Sequence, residues 1–113
     1  MSRSRRILWP LTITYALGVL VATHLPPSRV PQTPVSDTVE HFAAYLILSA
    51  LLCGTMGRGG AVRAAAASLV FAATDELTQP FVGRQCDLND WLADAAGTVS
   101  AALAAVAIQR IRG

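Results

Sequence analysis

Four long apolar runs divide this chain almost end to end, and they constrain its fold more than any motif does. Each run is about 17 to 22 residues, the number a helix needs to cross roughly 30 Å of hydrocarbon at about 1.5 Å per residue. The runs place helices over 7–24, 37–56, 61–79 and 90–111. Composition agrees: 53 % of the 113 residues are hydrophobic and 14 % are charged, where ordinary soluble domains carry about 25 % charged residues. The expectation is an all-α fold, a polytopic membrane four-helix bundle spanning 1–113 as a single domain.

Local chemistry sets the boundaries of these runs. The first, Ile7 to Thr23, follows three arginines and precedes the proline-rich stretch Leu25 to Pro34. A secretory signal peptide is the competing reading, but the run exceeds a usual signal core and Leu20 with Ala22 makes a poor cleavage pair, so a retained span is expected. Arg29 to Ser36, with Pro31 and Pro34, reads as an extended loop. Ser36 or Asp37 can cap the second helix, and Gly57, Gly59 and Gly60 stop it. Pro80 halts the third, and the fourth opens at Asp90. Small residues on the third (Ala61, Ala65, Ser68, Ala72) and fourth (Gly97, Ala101, Ala104, Ala105) would let their backbones approach closely, the usual basis of helix association in lipid, although an alanine-rich composition alone produces such stripes.

Charge is distributed by end. All nine cationic residues are arginine, and Arg3, Arg5, Arg6, Arg58, Arg63, Arg110 and Arg112 fall on one side of four alternating crossings. Cytoplasmic loops carry the arginine excess, so both termini are expected in the cytoplasm. The seven acidic residues, with His24 and His41, fall on the other side. A net charge of +2 and no basic stretch interleaved with aromatics set nucleic acid aside as a partner. Cys53 and Cys86 form no CxxC and read as free thiols.

Residues four apart stand on one helical face. Asp37, His41 and Tyr45 thus form one stripe, Asp75 and Gln79 a second, and Asp90 and Asp94, followed by Gly97, a third. Glu76 lies about 100° round from Asp75, so at most one of the pair is expected to point at the bundle axis. Ionisable groups at membrane depth cost several kcal/mol unless paired or hydrated. A packing network of these acids with His41 and Arg84 is one reason for them; a site in a hydrated outer vestibule is the other, and five carboxylates exceed what one arginine and one histidine neutralise. His41, Asp75, Glu76, Asp90 and Asp94 are donors suited to a divalent ion such as Zn²⁺, Mn²⁺ or Mg²⁺, although no compact metal motif is present. His41 with Glu76 would equally serve as an acid/base pair. Arg84 could hold a phosphate or carboxylate, or simply pair with Asp87 or Asp90. Trp9, Phe81 and Trp91 read as interfacial anchors and His24 as an interfacial residue.

The motifs Asp37-Thr-Val-Glu-His41-Phe-Ala-Ala-Tyr45, Asp75-Glu76-Leu-Thr-Gln79-Pro-Phe-Val-Gly83-Arg84 and Asp90-Trp-Leu-Ala-Asp94-Ala-Ala-Gly97, in this order, resemble the VanZ-like family of small membrane proteins. The resemblance runs from Asp37 to the end of the fourth helix, and the first helix agrees only in hydropathy. It implies family positions at Asp37, His41, Tyr45, Asp75, Glu76, Gln79, Gly83, Arg84, Asp87, Asp90, Asp94 and Gly97. Thr38 replaces a lysine common after the first aspartate, no proline precedes Gly83, and Asp94 stands where many members carry asparagine, so this site is more acidic than the family norm. The resemblance links the chain to resistance against teicoplanin, a glycopeptide with a lipid tail. It implies a protein that binds or modifies an envelope lipid, a lipid-linked precursor or the glycopeptide itself. The alternative is a non-catalytic accessory protein whose charged cluster locks helix packing or docks a partner, and four short helices are compatible with a homo-oligomer. A channel or proton-coupled transporter would need a polar path to the cytoplasmic side, which the runs do not supply.

Overall fold

A computed structural model describes residues 2–30 and 34–113 and shows an all-helical chain. Four helices run α1 (Arg3–Thr23), α2 (Asp37–Met56), α3 (Ala61–Thr78) and α4 (Leu88–Arg112), with short 3-10 turns at Pro27–Arg29 and Gln79–Val82. Three of them, α1, α2 and α4, are long and apolar enough to cross a membrane. The third is shorter, at 18 residues, and carries Arg63, Asp75 and Glu76.

The starts of α1 and α4 and the conformation at Arg29 differ from expectation. The first helix begins at Arg3 rather than near residue 7, because the Ser2 side chain accepts from Arg5 N and caps it. The fourth begins at Leu88 rather than Asp90, because Asp87 accepts from Asn89 N at 2.8 Å. Arg29, expected in an extended loop, closes a 3-10 turn; Pro31, expected in the same loop, lies outside the described residues. Ser36 rather than Asp37 caps α2 by accepting from Val39 N, and Gly57 ends it with φ 78°, a left-handed conformation that suits glycine.

The second helix is the hub, packing against each of the other three. Its closest partner is α4, because Gly97 places that helix against the α2 backbone: a side chain at this position would meet the Phe42 carbonyl and come within 2.9 Å of Leu46 N. Ala61, Ala64, Ser68 and Ala72 of α3 and Ala93, Gly97 and Ala101 of α4 are buried; Ala65 and Ala105 are partly so, and Ala104 faces outward.

The interior is polar and the exterior apolar, the reverse of a water-soluble globule. Among the described residues, ten buried ones are polar or charged against nine hydrophobic ones, five of them alanine. Meanwhile Leu17, Val21, Val62, Val70 and Leu103 are all more than half exposed. This is the distribution expected of a bundle in hydrocarbon, where lipid-facing apolar side chains cost nothing and polar side chains must find partners inside. They find them in rungs between helices. Thr12 pairs with Thr55 at 2.9 Å and Tyr15 donates to Ala44 O at 2.8 Å. Ser49 donates to Thr98 O at 2.8 Å, and Ser68 pairs with Thr98 at 2.7 Å. These hydroxyls run further toward the arginine-rich end than the sequence suggested, but Ser49 and Thr55 are separated by about 9 Å of helix rise, which interrupts them as a path.

The alternation of helices gathers charge as expected. Arg5 donates to Thr55 O at 2.7 Å, and Arg58 and Arg110 line one depression, so both chain ends lie with the α2–α3 turn.

Candidate functional site

At the opposite end, three helices and the 79–87 segment bring the acidic motifs together. The Ser36 cap fixes where α2 starts, and helical periodicity then aligns His41 and Tyr45 on its inward face, both buried. Asp94 of α4 faces His41: Nδ1 of the imidazole lies 2.8 Å from Asp94 Oδ1, and Nε2 lies 3.4 Å from Asp90 Oδ2. Two carboxylates four residues apart on α4 thus flank one imidazole.

Asp75 and Glu76 are both buried, at 0 % and 2 % exposure. They face different neighbours. Asp75 accepts from the Tyr45 hydroxyl at 2.9 Å and, through its other oxygen, from Thr23 of α1, with His24 Nδ1 3.4 Å away. Its two oxygens therefore join α1, α2 and α3. Glu76 turns to the segment before α4: Oε2 accepts from the Asp87 N–H at 2.9 Å, and Oε1 from Gln79 Nε2 at 3.3 Å. Gln79 itself is 1 % exposed, placed by the 3-10 turn that Pro80 starts.

Arg84 does not take the role of a partner to Asp87 or Asp90. Its guanidinium donates to Ala22 O at 3.1 Å, capping the last turn of α1, where a cation is favoured by the exposed carbonyls. Gly83 in the left-handed conformation, φ 80°, turns the chain so that this is within reach. The ion pairs seen here among the described residues, His24 with Asp75 and His41 with Asp90 and Asp94, each use a histidine.

The exposed rim of the site continues into a groove of about 350 Å³ between α1 and α2. Val19, Ala22, Leu25 and Ala44 form apolar wall, and Asp37, His41, Tyr45 and Arg84 form a polar end. Asp37 is exposed in the first turn of α2, and Asp87 is exposed as the α4 cap.

His24 and Thr23 are the residues that sequence reasoning undervalued. His24 ends α1 and bonds Thr78 Oγ1 at 2.7 Å through Nε2. The signal was its position on the acidic side of the chain, one residue from the end of an apolar run. Trp91, read as an interfacial anchor, instead packs on the cluster of Val19, Tyr45, Leu48 and Ala72. Phe81, at 87 % exposure, does face outward. Cys53 is buried and Cys86 exposed, both free.

Two buried polar side-chain atoms have no hydrogen-bond partner among the described residues: Trp91 Nε1 and Asp94 Oδ2. No family model, curated protein or solved structure matches the chain.

Proposed function

We propose that this chain is a four-span protein of the bacterial cytoplasmic membrane, VanZ-like in kind, whose acidic end faces outward and binds an envelope lipid or a lipid-linked intermediate. The observation that carries this reading is the groove between α1 and α2, where an apolar wall meets Asp37, His41, Tyr45 and Arg84 at one end. An amphiphile needs that combination, a surface for an acyl chain and hydrogen-bonding groups for a head. The arginine-rich opposite end supports an orientation with both termini in the cytoplasm. Under this reading α3 crosses with the others, its acidic pair shielded from lipid by Tyr45, Thr23 and the 79–87 segment.

Reporter fusions test the orientation: a reporter in the Arg58–Gly60 turn is expected to read cytoplasmic and one at Cys86 outward, and the reverse pattern ends the proposal. Filling the groove tests the ligand. Ala22 is exposed on its wall, so Ala22→Trp is expected to leave thermal unfolding in mild detergent unchanged while removing co-purifying lipid detected by mass spectrometry. Equal lipid retention in the variant removes the groove from the account.

A second reading, an accessory protein whose polar cluster locks the bundle, is favoured by Asp75, both of whose oxygens are engaged across helices. Resistance to teicoplanin is the phenotype in which either reading is measured.

A further inference from the structure

Asp94 is fully buried, one of its oxygens has no partner, and it stands in a cluster where carboxylates outnumber cations. Around it, one donor atom each from His41, Glu76 and Asp94 lies within 4.8 Å of the other two. We propose that these three side chains form a binding site for a divalent first-row transition ion, Zn²⁺ or Mn²⁺, which meets the groove at His41.

Three observations converge. The first is the donor set: one imidazole and two carboxylates, contributed by three different helices, is a common ligand chemistry for these ions and leaves coordination positions open for water or a substrate oxygen. The second is spacing. Donors bound at about 2.1 Å around one ion stand about 3 to 3.5 Å apart, so a separation of 4.8 Å must close by about 1.3 to 1.8 Å. Glu76 can supply that movement, because its Oε1 is held only by a 3.3 Å hydrogen bond from Gln79. The third is the orphaned oxygen. A buried carboxylate oxygen without a donor is costly, and it lies on the same residue that already holds His41.

Charge strengthens the case. Among the described residues, the ion pairs of Asp75, Asp90 and Asp94 are with His24 and His41, and the Arg84 guanidinium donates to Ala22 O. A divalent cation would offset the carboxylate excess where water is scarce. Asp75 is not a ligand in this assignment, since Tyr45 and Thr23 occupy its oxygens. Its role is to hold α1, α2 and α3 in register beside the site.

The inference stands apart from lipid binding, and the two can fail separately. The test uses the full chain in mild detergent, stripped by chelator and then equilibrated with Zn²⁺ or Mn²⁺ alone. The expected result is close to one ion per chain, with a rise in the unfolding midpoint on loading. Asp94→Asn and Glu76→Gln are each expected to weaken uptake by roughly 10- to 100-fold or more, while Cys86→Ser, which removes the exposed thiol, binds as the parent does. Should those variants fail to fold, the parent protein still decides: Mn²⁺ bound to it is expected to show the ¹⁴N coupling of a directly coordinated imidazole in electron spin echo spectra. Ala22→Trp is expected to keep the ion while losing lipid. Absence of a stoichiometric ion, absence of the nitrogen coupling, or uptake undiminished in both folded carboxylate variants overturns the site.

Discussion

Replacing Gly97 with leucine is expected to abolish the folded bundle, and even Gly97→Ala is expected to cost about 1 to 3 kcal/mol. A Cβ at this position would run into the Phe42 carbonyl and approach Leu46 N to 2.9 Å, and both are backbone atoms of α2. A flexible side chain could rotate away; a helix backbone cannot. Relief therefore requires α2 to move as a body, and α2 carries His41, Tyr45 and Ser49, whose hydrogen bonds reach Asp94, Asp75 and Thr98. A shift large enough to admit one methyl group strains all three. Gly18 is the matched control, since nothing lies within 4 Å of a Cβ built there. It sits inside α1, where alanine is the better helix former by roughly 0.5 to 1 kcal/mol, so Gly18→Ala is expected to be neutral or mildly stabilising. Thermal unfolding in one detergent, with size-exclusion profiles of each variant, separates the two sites. Indistinguishable melting of Gly97→Ala and Gly18→Ala would show that the close α2–α4 approach does not hold the bundle together.

The contrast between these glycines also shows what a sequence carries and what it leaves open. Helical runs were legible because their length and apolarity are local properties, and the stripes Asp37, His41, Tyr45 and Asp90, Asp94 were legible because a period of 3.6 is fixed by backbone geometry. The rotation of each helix about its own axis is not local. Whether Gly97 or Gly18 meets a neighbour, and whether Asp75 or Glu76 turns inward, depends on which helices surround the one that carries it. The third helix has neighbours on two sides, so both acids are buried against different partners. Serine and threonine escaped notice for another reason: in hydropathy they are nearly neutral, so Thr12, Ser49, Thr55 and Thr98 read as filler although each is buried and bonded. The start of α1 was set at residue 7 by the edge of the apolar run, whereas the helix continues through the arginines, where Arg5 has its own partner in Thr55 O.

Substituting both members of the His41–Asp94 pair is expected to separate the two functional readings. Their contact is 2.8 Å long, and Asp94 is inaccessible. Removing one partner of such a pair leaves the other desolvated and uncompensated, which typically costs about 3 to 5 kcal/mol. His41→Leu alone would strand Asp94, whose other oxygen already lacks a partner; Asp94→Leu alone would leave His41 with only the 3.4 Å contact to Asp90. Each single variant is therefore expected to melt well below the parent. The double variant replaces both charges with apolar groups in a bundle whose exterior is already apolar, and such replacements are often neutral or stabilising by about 1 to 4 kcal/mol. Most of the lost stability should return, which a double-mutant cycle reads as a large coupling between the sites. Function need not follow stability. If His41 and Asp94 serve a ligand, the double variant stays folded yet lacks ion uptake. Ion uptake retained together with a recovered melting temperature would assign the pair to packing and favour the accessory reading.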